Sequence, residues 1–80
     1  MTNKELLKKA FVEALNLSPE TDVEALQYNS IPEWDSLAHM ALISQLDEAF
    51  DIMLDTEDVI DLSSYQKAEE ILVKYGVTFQ

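Results

Sequence analysis

Hydrophobic residues along this chain recur at spacings of three and four, the period of an amphipathic helix. The first such segment places Leu7, Phe11 and Leu15 on one face. Just before it, Thr2 and Glu5 have the spacing of a capping box, in which each side chain accepts a hydrogen bond from the other residue's backbone. The pattern therefore predicts a first helix that begins near Thr2 and ends near Leu15.

A long connection follows this helix and extends to Trp34. Pro19 and Pro32 disfavour helical conformation in the residues before them. Connections of this length in a small domain are more often functional than idle. We expect this one to be pinned to the core, with a short helical turn near Val23, because apolar residues recur along it: Leu17, Val23, Leu26, Tyr28 and Ile31.

The helical period resumes at Ser36, with Leu42, Leu46 and Phe50 on one stripe. This predicts a second helix of about four turns. Asp35 is a favourable N-cap for it, which would make Ser36 its first residue.

Capping signals divide the rest of the chain into two further helices. Thr56 is expected to cap a short third helix, and Ser63 with Gln66 forms a capping-box pattern for the last one. Gly76 is a natural C-terminal stop. The pattern predicts an all-α fold in which residues 1–80 form a single domain, a four-helix bundle with a long first loop and a short third helix.

The charge is strongly acidic and unevenly distributed. Sixteen Asp and Glu residues against five lysines give a net charge of −11. Between Ala10 and Gln66 there are thirteen acidic residues and no Lys or Arg. Nucleic-acid binding needs a basic face, so we expect none. Such a surface instead favours partners with basic patches.

Other features of the composition bear on disulfides, metal sites and cellular location. The chain has no Cys and a single His, which excludes a disulfide framework and a histidine metal cluster. No apolar run reaches the roughly 18 residues that a membrane span needs, and the N-terminus lacks the apolar region of a signal peptide. We expect a cytoplasmic monomer without a membrane span.

Three interpretations of Ser36 are open on the residues alone. It can be an ordinary first helical residue behind the Asp35 cap. It can pair with His39, three residues later, as in a hydrolase, but no nearby glycine provides a nucleophile elbow, so we expect no catalysis. We expect His39 to lie on the surface, or at most to contact a group carried by Ser36. Finally, a phosphate ester on Ser36 would be stabilised at the helix N-terminus.

The tripeptide Asp35-Ser36-Leu37 resembles the phosphopantetheine attachment motif of acyl carrier proteins. The resemblance continues through L-I-S-Q-L-D-E-A-F-D-I, residues 42–52, and includes the length, the acidity and the order of helices. It implies a non-catalytic carrier, with 4′-phosphopantetheine attached to Ser36 between Asp35 and Leu37. A separate phosphopantetheinyl transferase would take this group from coenzyme A with magnesium, and acyl groups would be carried on its thiol as thioesters.

The resemblance also implies partners and a place for the cargo. An acyl-activating ligase, an acyltransferase or a synthase would present basic patches to the acidic residues around the serine and on the second and third helices. A bound chain would lie between these helices, lined by Ile43, Leu46, Val59, Ile60 and Leu62. The candidate partner-binding residues are Glu33, Trp34, Asp35, Met40, Asp47, Glu48, Asp51, Glu57 and Asp58.

Departures from the family pattern favour a specialised pathway over housekeeping fatty-acid synthesis. Trp34 stands where a small residue is usual, and Ala38 and Ala41 stand where acidic residues are frequent. Trp34 either packs against Leu37 or the loop, or shields the arm and docks a dedicated partner. Two alternatives stay open: an aminoacyl or D-alanyl carrier, and an acidic helical protein-interaction module without cofactor.

Overall fold

The computed structural model describes residues 2–79 of the chain. This part contains four α-helices and one short 3₁₀ turn. The secondary structure of this part is all-helical, without a strand. No helix in the described range has the length and apolar character needed to cross a membrane. In chain order the elements are α1 (Asn3–Leu15), the 3₁₀ turn (Val23–Ala25), α2 (Ser36–Phe50), α3 (Thr56–Asp61) and α4 (Tyr65–Lys74).

The ends of α1 and α4 agree with the signals in the sequence. The Thr2 hydroxyl accepts a hydrogen bond from the Glu5 N–H, and the Glu5 carboxylate accepts one from the Thr2 N–H, both at 3.2 Å. At the other end of the chain, Gly76 adopts φ 93°, a conformation that side chains disfavour. Its N–H donates to the Val73 carbonyl, and the next N–H reaches the carbonyl of Leu72. This Schellman motif ends α4, and the predicted glycine stop is confirmed.

The predicted caps of α3 and α4 are each wrong by one residue. Thr56 is the first residue of α3, and Asp55 is its N-cap without a side-chain hydrogen bond. The N-cap of α4 is Ser64, whose hydroxyl accepts from the Lys67 N–H at 3.0 Å. Ser63 lies one residue before this cap, and its carbonyl accepts from the Tyr28 N–H at 2.7 Å.

The core lies between α1, α2 and α4. Leu7 and Phe11 of α1 pack toward Leu42 and Leu46 of α2, and all four side chains are fully buried. The Phe11 ring also lies 5.4 Å from the ring of Tyr65 on α4. Burial of large side chains supplies most of the stabilisation in a domain of this size.

The long first loop is fixed to this core at its middle. The side chains of Val23 and Leu26 are buried. Gln27 and Ser64 form an isolated antiparallel bridge, which joins the loop to the start of α4. The Glu24 carboxylate is held from the α1 side by Lys4 and Lys8, with the closer ammonium at 3.0 Å. The expectation of a pinned loop with a helical turn near Val23 is confirmed.

Candidate functional site

Ser36 is the first residue of α2, and its side chain is exposed. The Asp35 carboxylate accepts a hydrogen bond from the Ala38 N–H at 2.9 Å, so the predicted N-cap is confirmed. The Asp35 carbonyl accepts from the His39 N–H at 2.8 Å and closes the first turn. Leu37 is 83% exposed beside the serine. The cap therefore fixes the backbone of Ser36 and leaves its hydroxyl accessible.

A tyrosine from the long loop contacts this hydroxyl. The Tyr28 phenol oxygen lies 3.2 Å from the Ser36 Oγ. The Tyr28 ring makes T-shaped contacts with Trp34, at a centroid distance of 6.0 Å, and with His39, at 5.3 Å. Tyr28 was expected only to help pin the loop, and its contact with the serine is not visible in the sequence.

Trp34 was expected to bind a partner, but it is completely buried, at 0% exposure, and offers no surface to a partner in this structure. Its ring meets Phe11 edge to face at 5.4 Å and stacks on His39 at 6.1 Å. Leu37, which was one proposed packing partner, points to solvent instead. Because a large aromatic ring gains more from burial than any other side chain, Trp34 fills the space under the loop.

His39 is half-buried, so the expectation of a surface histidine is wrong. The Trp34 Nε1–H donates to its Nδ1 at 3.0 Å, and its Nε2 lies 2.8 Å from the Val59 carbonyl on α3. Since Nδ1 accepts, the proton resides on Nε2 and is donated to Val59. Both ring nitrogens are thus engaged away from Ser36, and the serine–histidine pair of a hydrolase is not formed.

An apolar cleft opens beside this cluster, between the loop and α3. Its volume is about 240 Å³. Of the five residues that the sequence suggested for a gap between α2 and α3, Val59, Ile60 and Leu62 line it, and Ile43 and Leu46 are buried in the core. The complete lining is Tyr28, His39, Val59, Ile60, Leu62 and Ser63.

Most of the other candidate partner-binding residues lie at the surface. Asp47 is half-buried, and its carboxylate accepts from the Leu54 N–H at 3.2 Å. Met40 is 54% exposed on α2. The exposed acidic residues are Glu33, Asp35, Glu48, Asp51 and Glu57.

Asp58 is the exception among the acidic candidates, since it is only 6% exposed. Lys74 and the Tyr75 hydroxyl each donate to its carboxylate at 2.6 Å. These two hydrogen bonds lower the pKa of Asp58. The Tyr75 hydroxyl also accepts from the Asp55 N–H at 3.0 Å. Asp58 therefore ties α3 to α4, and its carboxylate, which was expected to dock a partner, is engaged within the chain.

The surface around Ser36 keeps its negative charge, because the lysines form their salt bridges elsewhere. In residues 2–79 four of them pair with acidic residues of the same chain: Lys4 and Lys8 with Glu24, Lys67 with Asp61, and Lys74 with Asp58. Within that range, no lysine pairs with the acidic residues of α2 or with those that flank the serine.

Comparisons with known proteins do not extend this description. The chain matches no protein-family model, no curated protein and no solved structure at a significant level.

Proposed function

We propose that this protein is an acyl carrier, which holds its cargo as a thioester on a 4′-phosphopantetheine arm attached to Ser36. The observation that carries the proposal is the place of Ser36. It is an accessible hydroxyl on the first residue of a capped helix, at the edge of an apolar cleft. The resemblance of Asp35-Ser36-Leu37 to the attachment motif supplies the identity of the arm.

The start of α2 suits a phosphodiester. The first N–H groups of a helix have no carbonyl partner within the helix, and the helix dipole places partial positive charge there. Asp35 uses the Ala38 N–H, whereas those of Ser36 and Leu37 precede the first intrahelical bond. A singly charged phosphodiester on Ser36 would lie beside these donors.

Attachment of the arm is a phosphoryl-group transfer. The Ser36 Oγ would attack the phosphorus next to the pantetheine in coenzyme A and form a new P–O bond. The pyrophosphate P–O bond would break, and adenosine 3′,5′-bisphosphate would leave with the bonding electrons. A base on the transferase would take the Ser36 proton. The chain itself supplies the nucleophile and its position, and the nearby imidazole of His39 is engaged with Trp34 and Val59.

The cleft favours an acyl cargo over an aminoacyl one. Its lining includes the aliphatic side chains of Val59, Ile60 and Leu62. Burial of a charged ammonium group there would cost several kcal/mol without a paired carboxylate, whereas an alkyl chain would gain from leaving water.

The charge around Ser36 favours basic enzymes as partners. The exposed acidic residues around and after the serine form no salt bridge with a lysine of the described residues: Glu33, Asp35, Glu48 and Asp51. Opposite charge speeds the encounter of two proteins. Leu37 and Met40 add exposed apolar area at the same place. The acyl-activating ligase, acyltransferase or synthase that serves this carrier would therefore present a basic surface with an apolar centre.

The test is the intact mass of the protein after incubation with coenzyme A, magnesium and a broad-specificity phosphopantetheinyl transferase. We expect the parent to gain one phosphopantetheine group and Ser36→Ala to gain none. Ser44→Ala is the matched control, because Ser44 is an exposed serine on the same helix. It should be modified like the parent.

Circular dichroism of all three proteins would show whether each is folded. No mass gain by the folded parent with several transferases would overturn the proposal. An acidic helical interaction module, in which Ser36→Ala leaves partner binding intact, would then become the leading interpretation.

A further inference from the structure

Tyr28 lies in a turn whose backbone is held by hydrogen bonds on both sides. Its N–H donates to the Ser63 carbonyl at 2.7 Å. On one side Gln27 is bridged to Ser64. On the other side Asn29 adopts φ 64°, and the Ser30 hydroxyl donates to the Gln27 carbonyl at 2.6 Å. The turn that carries Tyr28 is thus fixed on both sides.

The ring of Tyr28 is also fixed. It meets Trp34 at an interplanar angle of 87° and His39 at 71°. Trp34 is buried, and His39 is held by two hydrogen bonds, so neither neighbour can move freely. The backbone and the ring are both restrained, and the phenol oxygen lies 3.2 Å from the Ser36 Oγ.

The direction of this hydrogen bond follows from the two groups. A phenol O–H is a stronger donor and a weaker acceptor than an aliphatic hydroxyl, so Tyr28 donates to Ser36. The Ser36 proton is then free to point away from the protein, toward an incoming base. The contact also restricts rotation of the Ser36 side chain, which is exposed.

We propose that Tyr28 is a positioning residue for the modification of Ser36: it holds the serine oxygen in the attacking orientation, and after modification it donates to that same oxygen in the phosphodiester. This inference rests on the proposed function. It adds a residue from the first loop to a site that the motif confines to the start of α2.

The test is the steady-state rate of phosphopantetheine transfer to Tyr28→Phe, measured against the parent. Loss of one hydrogen bond that holds the nucleophile should lower kcat about threefold to tenfold. The KM for the carrier should not change, because the docking surface keeps its charges. A structural role would instead lower the melting temperature, which we expect to stay within about 2 °C of the parent.

Tyr75→Phe is the matched control, since it removes a hydroxyl that bonds to Asp58 and Asp55 rather than to Ser36. It should be less stable but load at the parent rate at a temperature where it is folded. A second readout is the ³¹P resonance of the loaded protein, which should shift in Tyr28→Phe and not in Tyr75→Phe.

The outcomes separate this inference from the proposed function. If the parent loads and Tyr28→Phe loads at the same or a higher rate, the role of Tyr28 is refuted and the carrier function stands. If the folded parent does not load at all, both are refuted.

Discussion

His39 gives the sharpest test of how the site is held together. It joins three elements: it accepts from Trp34 in the loop, donates to Val59 on α3, and itself belongs to α2. Replacement by alanine would leave the Trp34 N–H buried without an acceptor, which costs about 1–3 kcal/mol. Loss of the hydrogen bond to Val59 adds about 0.5–1.5 kcal/mol. We therefore expect His39→Ala to lower the free energy of unfolding by about 1.5–4.5 kcal/mol.

This loss is large for a chain of 80 residues. At 0.05–0.15 kcal/mol per residue, its total stability is about 4–12 kcal/mol. In a domain of this size each 1 kcal/mol lowers the melting temperature by about 4–8 °C. The expected fall for His39→Ala is thus about 6–36 °C, with a central value near 18 °C.

Two further variants separate the two hydrogen bonds of His39. The Asn side-chain oxygen can occupy the place of Nδ1 and accept from Trp34, whereas the Gln amide nitrogen can occupy the place of Nε2 and donate to Val59. Because Trp34 is fully buried and Val59 is only half-buried, His39→Asn should be more stable than His39→Gln, and His39→Ala should be the least stable.

The assay is urea unfolding followed by tryptophan fluorescence, since Trp34 is the single tryptophan of the chain and lies next to the substituted residue. Circular dichroism provides an independent signal from the helices. If the free energy of unfolding of His39→Ala lies within about 0.5 kcal/mol of the parent value, the change has the effect of a surface substitution and this account is refuted. A Gln variant more stable than the Asn variant would refute the assignment of the buried donor.

Two predictions concern charge. Raising the salt concentration from about 0.05 M to 0.5 M, or adding millimolar divalent cations, should raise the melting temperature by several degrees. The added ions screen the repulsion among the thirteen acidic residues between Ala10 and Gln66. Unchanged melting curves would show that self-repulsion does not limit stability. Lys74 and Tyr75 hold the pKa of Asp58 below its ordinary value of 3.8, so the stabilisation from this carboxylate is complete above pH 3.8 and is lost as the pH falls through the lower pKa of the folded state. Urea midpoints between about pH 2 and 7 should therefore fall more steeply in the parent than in Asp58→Asn, and parallel profiles would contradict this assignment.

The helices could be predicted because their signals are local. Thr2 and Glu5 lie within one turn of each other, and Gly76 stands directly after the last turn of α4. The apolar stripes of α1 and α2 likewise repeat within each helix. The place of Ser36 at the start of α2 followed from Asp35 and from the first apolar residues behind it.

The interior of the site could not be predicted, because its contacts join residues that are far apart in the chain. Whether His39 faces solvent depends on Val59, twenty residues later. Whether Asp58 is a free surface charge depends on Lys74, sixteen residues later. The same limit applies to the cap of α4. In the sequence Ser63 and Ser64 are equivalent candidates for this cap, and only the structure shows that the Ser63 carbonyl accepts a hydrogen bond from the distant Tyr28 N–H.

The bridge between Gln27 and Ser64 has a consequence for when the site is completed during synthesis. A ribosome adds about 5–20 residues per second, N-terminal residues first. Ser36 is made well before Ser63 and Ser64, which anchor the turn that presents Tyr28. We expect a nascent chain that ends before α4 to expose the serine without the tyrosine beside it. An enzyme that requires both residues would then modify finished chains in preference to growing ones.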